Sequence, residues 1–186
     1  AAAVRDNRAA IRSGTLAQKL VQLTLPGVPD TYQGACQLNL TLVDPDNRRE
    51  VDFHRLAHML DEVRTGRLDD LDAEKLRLTT AILHLRREET WAFVSPEAGY
   101  APLALSSGHA LAFQRSDSTG PRVVVVATRL PRELEDIGGW TDQSVVLPEG
   151  PWVDIVSGRT HGDGARRIAT LLGNDPVVVL HRADHR

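Results

Sequence analysis

The spacing of apolar residues changes about halfway along the chain. In the first half, apolar side chains recur every three or four positions, as at Leu16, Leu20 and Leu23, which is the period of an amphipathic helix. From Gly99 onward, short apolar runs are separated by Gly, Pro, Asp and Asn, which is the pattern of strands and turns. The sequence therefore predicts an α+β chain, with helices first and an antiparallel sheet after them.

Four helices are predicted before Gly99. Residues 1–12 form the first, which breaks at Ser13-Gly14, and Thr15 caps a second that leads to Pro26. A longer helix covers residues 73–88, after a polar loop at residues 65–72. The remaining helix begins after Asp52 as its N-cap, and its apolar stripe consists of Phe53, Leu56, Ala57, Leu60 and Val63.

The second half of the chain is predicted to be a sandwich. Short strands at this spacing are typical of antiparallel β-sandwiches. The predicted strands lie at residues 110–114, 122–128, 144–147, 153–156, 168–172 and 177–181.

A polar loop lies between the helix that leads to Pro26 and the helix that begins after Asp52. After a turn at Pro26-Gly27, residues 28–32 read as a short buried strand, and the loop closes on Asp-Pro-Asp-Asn-Arg-Arg at residues 44–49. Ligands of α/β folds bind at the carboxyl ends of strands. Carboxylate, amide and guanidinium groups together suit a polyhydroxylated ligand. An ordinary surface turn, in which the Asp and Arg side chains pair with each other, would show the same pattern.

These residues resemble a known family. The superfamily of α-amylases ends its catalytic barrel with Gly-Ile/Val-Pro-x-x-Tyr-x-Gly, which is matched by Gly27, Val28, Pro29, Tyr32 and Gly34. The run at residues 44–49, with Val-Asp-Phe just behind it, narrows the resemblance to the trehalose-forming branch, the maltooligosyltrehalose synthase family. Further similarity is found at residues 83–87, 91–93, 99–103 and 147–158, so that the resemblance covers nearly the whole chain in order.

The resemblance implies a fold and a domain organisation. Residues 1–64 would be the last helix, strand and helix of a TIM-type catalytic barrel, residues 65–92 a bridging loop and helix, and residues 93–186 a C-terminal β-sandwich. A complete barrel of this type needs about 250 residues, and this chain has 186. The resemblance therefore also implies a C-terminal fragment of a longer enzyme.

The resemblance further implies an activity in trehalose biosynthesis. Members of the family are isomerases that convert the reducing-end α-1,4 linkage of a maltooligosaccharide to an α,α-1,1 linkage. The nucleophile and the acid/base carboxylate of such retaining enzymes would lie upstream, so this fragment has no catalytic residue of its own and is expected to be inactive alone. Its expected partners are the maltooligosaccharide substrate and the upstream remainder of the barrel.

We expect part of the substrate site to lie in this chain, around the reducing-end sugar. Two alternatives stay open: a non-catalytic carbohydrate-binding or interaction module, and a hydrolase of the α-amylase superfamily. The sequence departs from the family pattern at Cys36, where a glutamate is usual, and at Glu50, where a proline is usual. The residues expected to bind substrate are Asp44, Asp46, Asn47, Arg48 and Arg49, with Tyr32 and Gln33 at the floor of the site.

Composition narrows the possible partners. The net charge is −3 and no basic stripe is present, so nucleic acid is not an expected ligand. No apolar run reaches the 18 or so residues of a membrane span. A single cysteine, Cys36, is compatible with a reducing cytosol, so we expect a cytoplasmic protein.

Two other patterns suggest chemistry. His54 and His58 are spaced as two zinc ligands on a helix can be, but no third ligand follows in a matching pattern, so we favour a solvated helix face and expect no metal and no cofactor. Trp140 and Trp152 could stack on sugar rings, although core or edge packing is the commoner role of tryptophan in a β-domain.

Overall fold

The computed structural model of the chain describes residues 2–40, 50–68 and 70–183. The described helices are α1 (Ala2–Asp6), α2 (Arg8–Thr24), α3 (Phe53–Arg64), α4 (Leu71–Glu88), α5 (Thr90–Phe93), α6 (Pro131–Asp136) and α7 (Ile168–Leu172). The described strands are β1 (Gly99–Pro102), β2 (Ala110–Asp117), β3 (Gly120–Thr128), β4 (Ser144–Leu147), β5 (Trp152–Asp154), β6 (Thr160–His161), β7 (Gly164–Arg167) and β8 (Val177–Arg182). The predicted α+β class with an antiparallel sheet is therefore confirmed.

The strands form two antiparallel sheets. One sheet has the strand order β1-β2-β3-β8-β5-β6, and the other pairs β4 with β7. At the centre of the larger sheet, β3 pairs with β2 on one side and with β8 on the other. These central strands are rich in valine, whose branched side chain packs well on a pleated surface.

The larger sheet is covered on both faces. Side chains of one face, such as Phe113, Val125 and Val179, pack against α2, α4 and α5 in one core cluster. Side chains of the other face, such as Val126 and Leu180, pack against the smaller sheet and α7 in a second cluster. The alternation follows from the two-residue period of a strand. The helical first half and the strand-rich second half thus share one core.

Three sequence predictions were wrong in detail. The helix break at Ser13-Gly14 is absent, because α2 is continuous from Arg8 to Thr24 and its break with α1 falls at Asn7. A glycine inside a helix costs only about 1 kcal/mol, and the burial of Leu20 and Leu23 in the same helix outweighs it.

The other two errors concern strands. Residues 28–32 form no strand, and Val28 is 90% exposed. No other described strand lies beside this segment, and a strand without a neighbour has no partner for its backbone groups. Residues 168–172 form α7 instead, because Ile168, Leu171 and Leu172 are all buried at helical spacing. A short apolar run of this kind does not distinguish strand from helix.

The predicted cap of α3 is confirmed. The side chain of Asp52 accepts a hydrogen bond of 2.9 Å from the backbone N–H of Arg55. Asp70 caps α4 in the same way, with a bond of 2.9 Å from the N–H of Ala73. The predicted apolar stripe of α3 is only partly buried: Val63 packs on α4 together with Met59, whereas Phe53 is exposed.

Candidate functional site

The predicted floor of the site lies at the surface. Tyr32, which is 66% exposed, and Gln33 lie in the loop that follows α2. Here the chain turns, with a hydrogen bond of 3.1 Å from the N–H of Ala35 to the carbonyl of Tyr32. Gly34 has a φ of +74°, and a Cβ there would lie 3.1 Å from the Val51 side chain. This turn therefore requires glycine both for its backbone angle and for close packing.

The other five residues expected to bind substrate lie outside the described residues. They are Asp44, Asp46, Asn47, Arg48 and Arg49. The structure therefore brings Tyr32 and Gln33 together at the surface, and their association with the other five residues stays a prediction.

Three polar contacts fix the loop of residues 25–40 to the helices beneath it. The Gln22 side chain on α2 donates a hydrogen bond of 2.6 Å to the carbonyl of Asp30. From α4, the ammonium group of Lys75 donates to the carbonyl of Gln37, and the carboxylate of Asp72 accepts from the N–H of Leu38. These bonds hold the loop although it contains no helix or strand of its own.

Two lysines lie beside this loop and were not identified as site residues from the sequence. Lys19 on α2 is only 5% exposed, and its ammonium group donates a hydrogen bond of 2.6 Å to the Gln22 side chain. Burial lowers the pKa of Lys19. Burial also lowers the pKa of Lys75, and the nearby positive charge of Lys19 lowers it further. The one available signal was that these are the only two lysines in the chain.

The lysines line a polar cleft next to the loop. The cleft has a volume of about 480 Å³, and Gln18, Gln22 and Asn39 contribute further donors and acceptors to its wall. Leu40, the last described residue before residue 50, is also on the wall and is 88% exposed. The cleft thus lies where the chain enters residues 41–49, and its chemistry suits hydrogen bonding to hydroxyl or carboxylate groups.

Cys36 lies on the inner side of the same loop. It is half-buried against the cluster that Met59 and Leu76 form between α3 and α4, and its thiol is free. The negative charge of its thiolate would raise the pKa of both Lys19 and Lys75 and so partly offset the effect of burial. A glutamate at this position, which the family pattern leads one to expect, would therefore have two cations nearby.

The two histidines of α3 face solvent. His54 is exposed, and His58 lies with its Nδ1 atom 3.5 Å from a carboxylate oxygen of Glu62, one turn further on. Within residues 2–40, 50–68 and 70–183, no group of three His, Cys, Asp or Glu side chains is placed to hold a metal ion. None of the described helices is both long and apolar enough to cross a membrane.

The helices on one face of an antiparallel sheet and the smaller sheet on the other define a small α+β domain. No protein-family model matches the sequence. Curated proteins called putative maltooligosyl trehalose synthase, from two strains of Mycobacterium tuberculosis, are 36% identical over 173 residues, which is 91% of this chain and 20% of theirs.

Solved structures show the same relationship. The maltooligosyltrehalose synthase of Arthrobacter ramosus superposes with a TM-score of 0.85 at 36% identity, over 97% of this chain and 23% of that one. A structure named DSM5389 glycosyltrehalose synthase superposes with a TM-score of 0.70 at 24% identity, over 96% of this chain and 22% of that one. The chain is therefore homologous to the C-terminal region of the maltooligosyltrehalose synthases, and it spans about a fifth of the length of the curated relatives.

Proposed function

We propose that this chain is the C-terminal part of an isomerase of trehalose biosynthesis. The whole enzyme would be an intramolecular transglucosylase of the α-amylase superfamily that converts the reducing-end α-1,4 linkage of a maltooligosaccharide to an α,α-1,1 linkage. The observation that carries the proposal is the 36% identity along 91% of the chain to the Mycobacterium proteins. The catalytic carboxylates lie outside this chain, and the fragment alone is inactive.

The reducing-end sugar site is proposed to include the loop that follows α2. Asp44, Asp46, Asn47, Arg48 and Arg49 would contact the sugar, with Tyr32 and Gln33 at the floor. Two features support this placement: the side chains of Tyr32 and Gln33 are exposed, and the loop is fixed by hydrogen bonds to α2 and α4. A loop fixed to a rigid scaffold positions ligand groups more accurately than a free one.

The same region is proposed to contact the upstream barrel. Val28 is 90% exposed and Leu40 is 88% exposed. Phe53, which follows the segment 41–49, is also exposed. Where large exposed apolar side chains form one patch, they mark a surface that is covered in an assembly. Residues 1–64 would supply the end of the barrel, residues 65–92 the bridge and residues 93–186 the C-terminal β-sandwich. Free Cys36 is consistent with the cytoplasmic location that we propose.

The activity is tested on the full-length natural protein with maltohexaose as substrate. Reducing ends and released glucose are followed together. If reducing ends disappear with little free glucose, the isomerase is supported. If reducing ends increase, the protein is a hydrolase of the same superfamily and the proposal is wrong. No change in either quantity would also contradict it and would favour a non-catalytic carbohydrate-binding module.

The sugar site is tested by alanine substitutions in the full-length protein. Arg48→Ala or Arg49→Ala should lower kcat/KM at least tenfold while the melting temperature changes little, because a guanidinium that contacts the sugar contributes to substrate binding more than to folding. Arg64→Ala is the matched control, because Arg64 is exposed on α3 and, among the residues that the structure describes, pairs only with Asp61. Equal loss of activity in all three variants would argue against a sugar contact at Arg48 or Arg49.

A further inference from the structure

A second groove lies near the N-terminal end of α2, away from the loop described above. It is bounded by α2, by α6 with the turn after it, and by the segment between α7 and β8. Roughly 16 Å of helix separates Ser13, which lines it, from the end of α2 at Thr24. Its volume of about 520 Å³ is within the range of small-molecule sites. The polar and aromatic lining residues include Arg12, Ser13, Glu135, Trp140, Asn174 and Asp175.

Trp140 forms an aromatic wall of this groove. Its partly buried ring packs against the core cluster between the two sheets, so the ring is supported from behind. The preceding Gly138 and Gly139 have φ angles of +88° and +80°, which side chains larger than glycine rarely adopt. Their N–H groups donate hydrogen bonds to the carbonyls of Glu135 and Leu134, at 2.9 and 2.8 Å. This turn ends α6 and fixes the position of the ring.

Polar groups lie on the other walls. Arg12 donates to the carbonyl of Asn174 at 2.9 Å and to the carboxylate of Asp175 at 2.7 Å, which holds that segment in place. The side-chain amide of Asn174, the second carboxylate oxygen of Asp175 and the Glu135 carboxylate make no hydrogen bond or ion pair within the described residues. These exposed donors and acceptors are therefore available to a ligand.

Ser13 provides a second, independent indication of a ligand. Its hydroxyl is buried at the back of the groove and has no hydrogen-bond partner in the part of the chain that is described. An unsatisfied buried hydroxyl costs roughly 1–3 kcal/mol, so such groups are normally completed by water or by a bound molecule. A water held between this hydroxyl and a ligand in the groove would complete it.

We propose that the groove binds a glucose unit of an α-1,4-glucan, apart from the loop that follows α2. A pyranose ring has an apolar C–H face, which suits the Trp140 ring, and a rim of hydroxyls, which suits amide and carboxylate groups. The charge balance favours a neutral ligand, because Arg12 is already paired with Glu74 and Asp175, and Glu135 would repel an anion. The choice of an α-glucan rests on the proposed function, and the groove itself does not depend on it.

Binding is measured by calorimetric titration of the 186-residue chain with maltohexaose. Saturable binding in the millimolar range is expected. Trp140→Ala should weaken it about tenfold, and Trp140→Phe by threefold or less, because phenylalanine retains an aromatic face. Trp91→Ala is the matched control, since Trp91 is 68% exposed on α5 and outside the groove; it should leave the affinity unchanged. Absence of binding, or equal affinity of the chain and Trp140→Ala, would overturn the proposal.

A second variant covers the case in which Trp140→Ala fails to fold. Asn174→Ala removes an exposed side chain that makes no hydrogen bond within the described residues, so its melting temperature should be unchanged while affinity falls at least threefold. If Trp140→Ala does not fold and Asn174→Ala binds maltohexaose with unchanged affinity, the proposal that the groove binds sugar is wrong.

The two proposals fail separately. If the full-length protein isomerises maltohexaose but the 186-residue chain does not bind it, the proposed function is supported and the proposal of sugar binding in the groove is wrong. Binding that is lost in Trp140→Ala, in a full-length protein without isomerase activity, would support the groove and contradict the proposed function.

Discussion

The Nε2 atom of His181 lies 2.6 Å from a carboxylate oxygen of Glu89, although 92 positions separate them in the sequence. The same carboxylate accepts two hydrogen bonds from the guanidinium of Arg122, at 2.9 and 3.1 Å. Glu89 connects α4 to α5, Arg122 lies on β3 and His181 lies on β8. A single carboxylate thus joins the helical layer to the two central strands of the larger sheet.

Removing this charge should destabilise the fold. Glu89→Gln is expected to lower the free energy of unfolding by about 2–4 kcal/mol, because Arg122 and His181 lose a charged acceptor in a site where the side chains are mostly buried. Urea denaturation of both proteins measures the difference. Glu88→Gln, at the exposed neighbouring position, should change stability by less than about 0.5 kcal/mol. Similar effects of both substitutions would show that the contacts of Glu89 contribute little.

The same site should make stability depend on pH. Burial alone would raise the pKa of Glu89, but the hydrogen bonds and charges of Arg122 and His181 hold it below its ordinary value of 4.5. A lowered carboxyl pKa stabilises the folded state fully above the unfolded value, and this contribution is lost as pH falls through the folded value. The free energy of unfolding should therefore decrease below about pH 4.5 more steeply in the natural chain than in Glu89→Gln. Parallel curves would contradict this.

Sequence periodicity predicted those elements whose formation depends on burial of one face. The spacing of Leu76, Thr79 and Ile82 predicts α4, and all three are buried, whereas Leu83, assigned to the same side of the helix, is exposed. The valine run of residues 122–128 likewise predicts a strand, and in the structure both faces of the sheet that contains it are covered. In both elements, the spacing of apolar residues within the segment itself indicates which of its faces are buried.

The errors fall where structure depends on residues distant in sequence. Residues 28–32 have the composition of a strand, but a strand exists only beside another one. The proximity of Lys19 and Lys75 depends on how α2 packs on α4 and could not be inferred from either segment. The site residues at 44–49 were proposed from a family resemblance, because their residue types alone also fit a surface turn.

Removing the N-terminal cap of α4 should lower the stability of the whole fold, whereas removing that of α3 should act mainly on α3 itself. Asp70→Ala removes the cap of α4, which packs in the main core, and should lower global stability by about 1 kcal/mol. Asp52→Ala removes the equivalent bond in α3, whose Met59 and Val63 pack in a smaller cluster outside the main core. We expect faster amide hydrogen exchange in α3, by about fivefold, with a smaller change in global stability. Equal global effects would mean that α3 unfolds only with the core.

Lys19 should destabilise the isolated chain because its charge is buried. Burial lowers the pKa of Lys19 below 10.5, so the protonated form is less stable in the folded chain than in the unfolded one. The whole penalty is present below the folded-state pKa of Lys19, and it decreases as pH rises past that value towards 10.5. Lys19→Met should therefore be more stable than the natural chain at pH 7, by roughly 1 kcal/mol, and the gap should narrow at pH 10.

The control for this prediction retains the charge. Lys19→Arg keeps a cation at the same position, so it should show neither the gain at pH 7 nor the narrowing at high pH. Lys75 provides an additional measurement: without the charge of Lys19 nearby, its pKa should rise, and NMR titration of its side chain can detect the change. If Lys19→Met is less stable at pH 7, the hydrogen bond of Lys19 to Gln22 outweighs the cost of burying its charge.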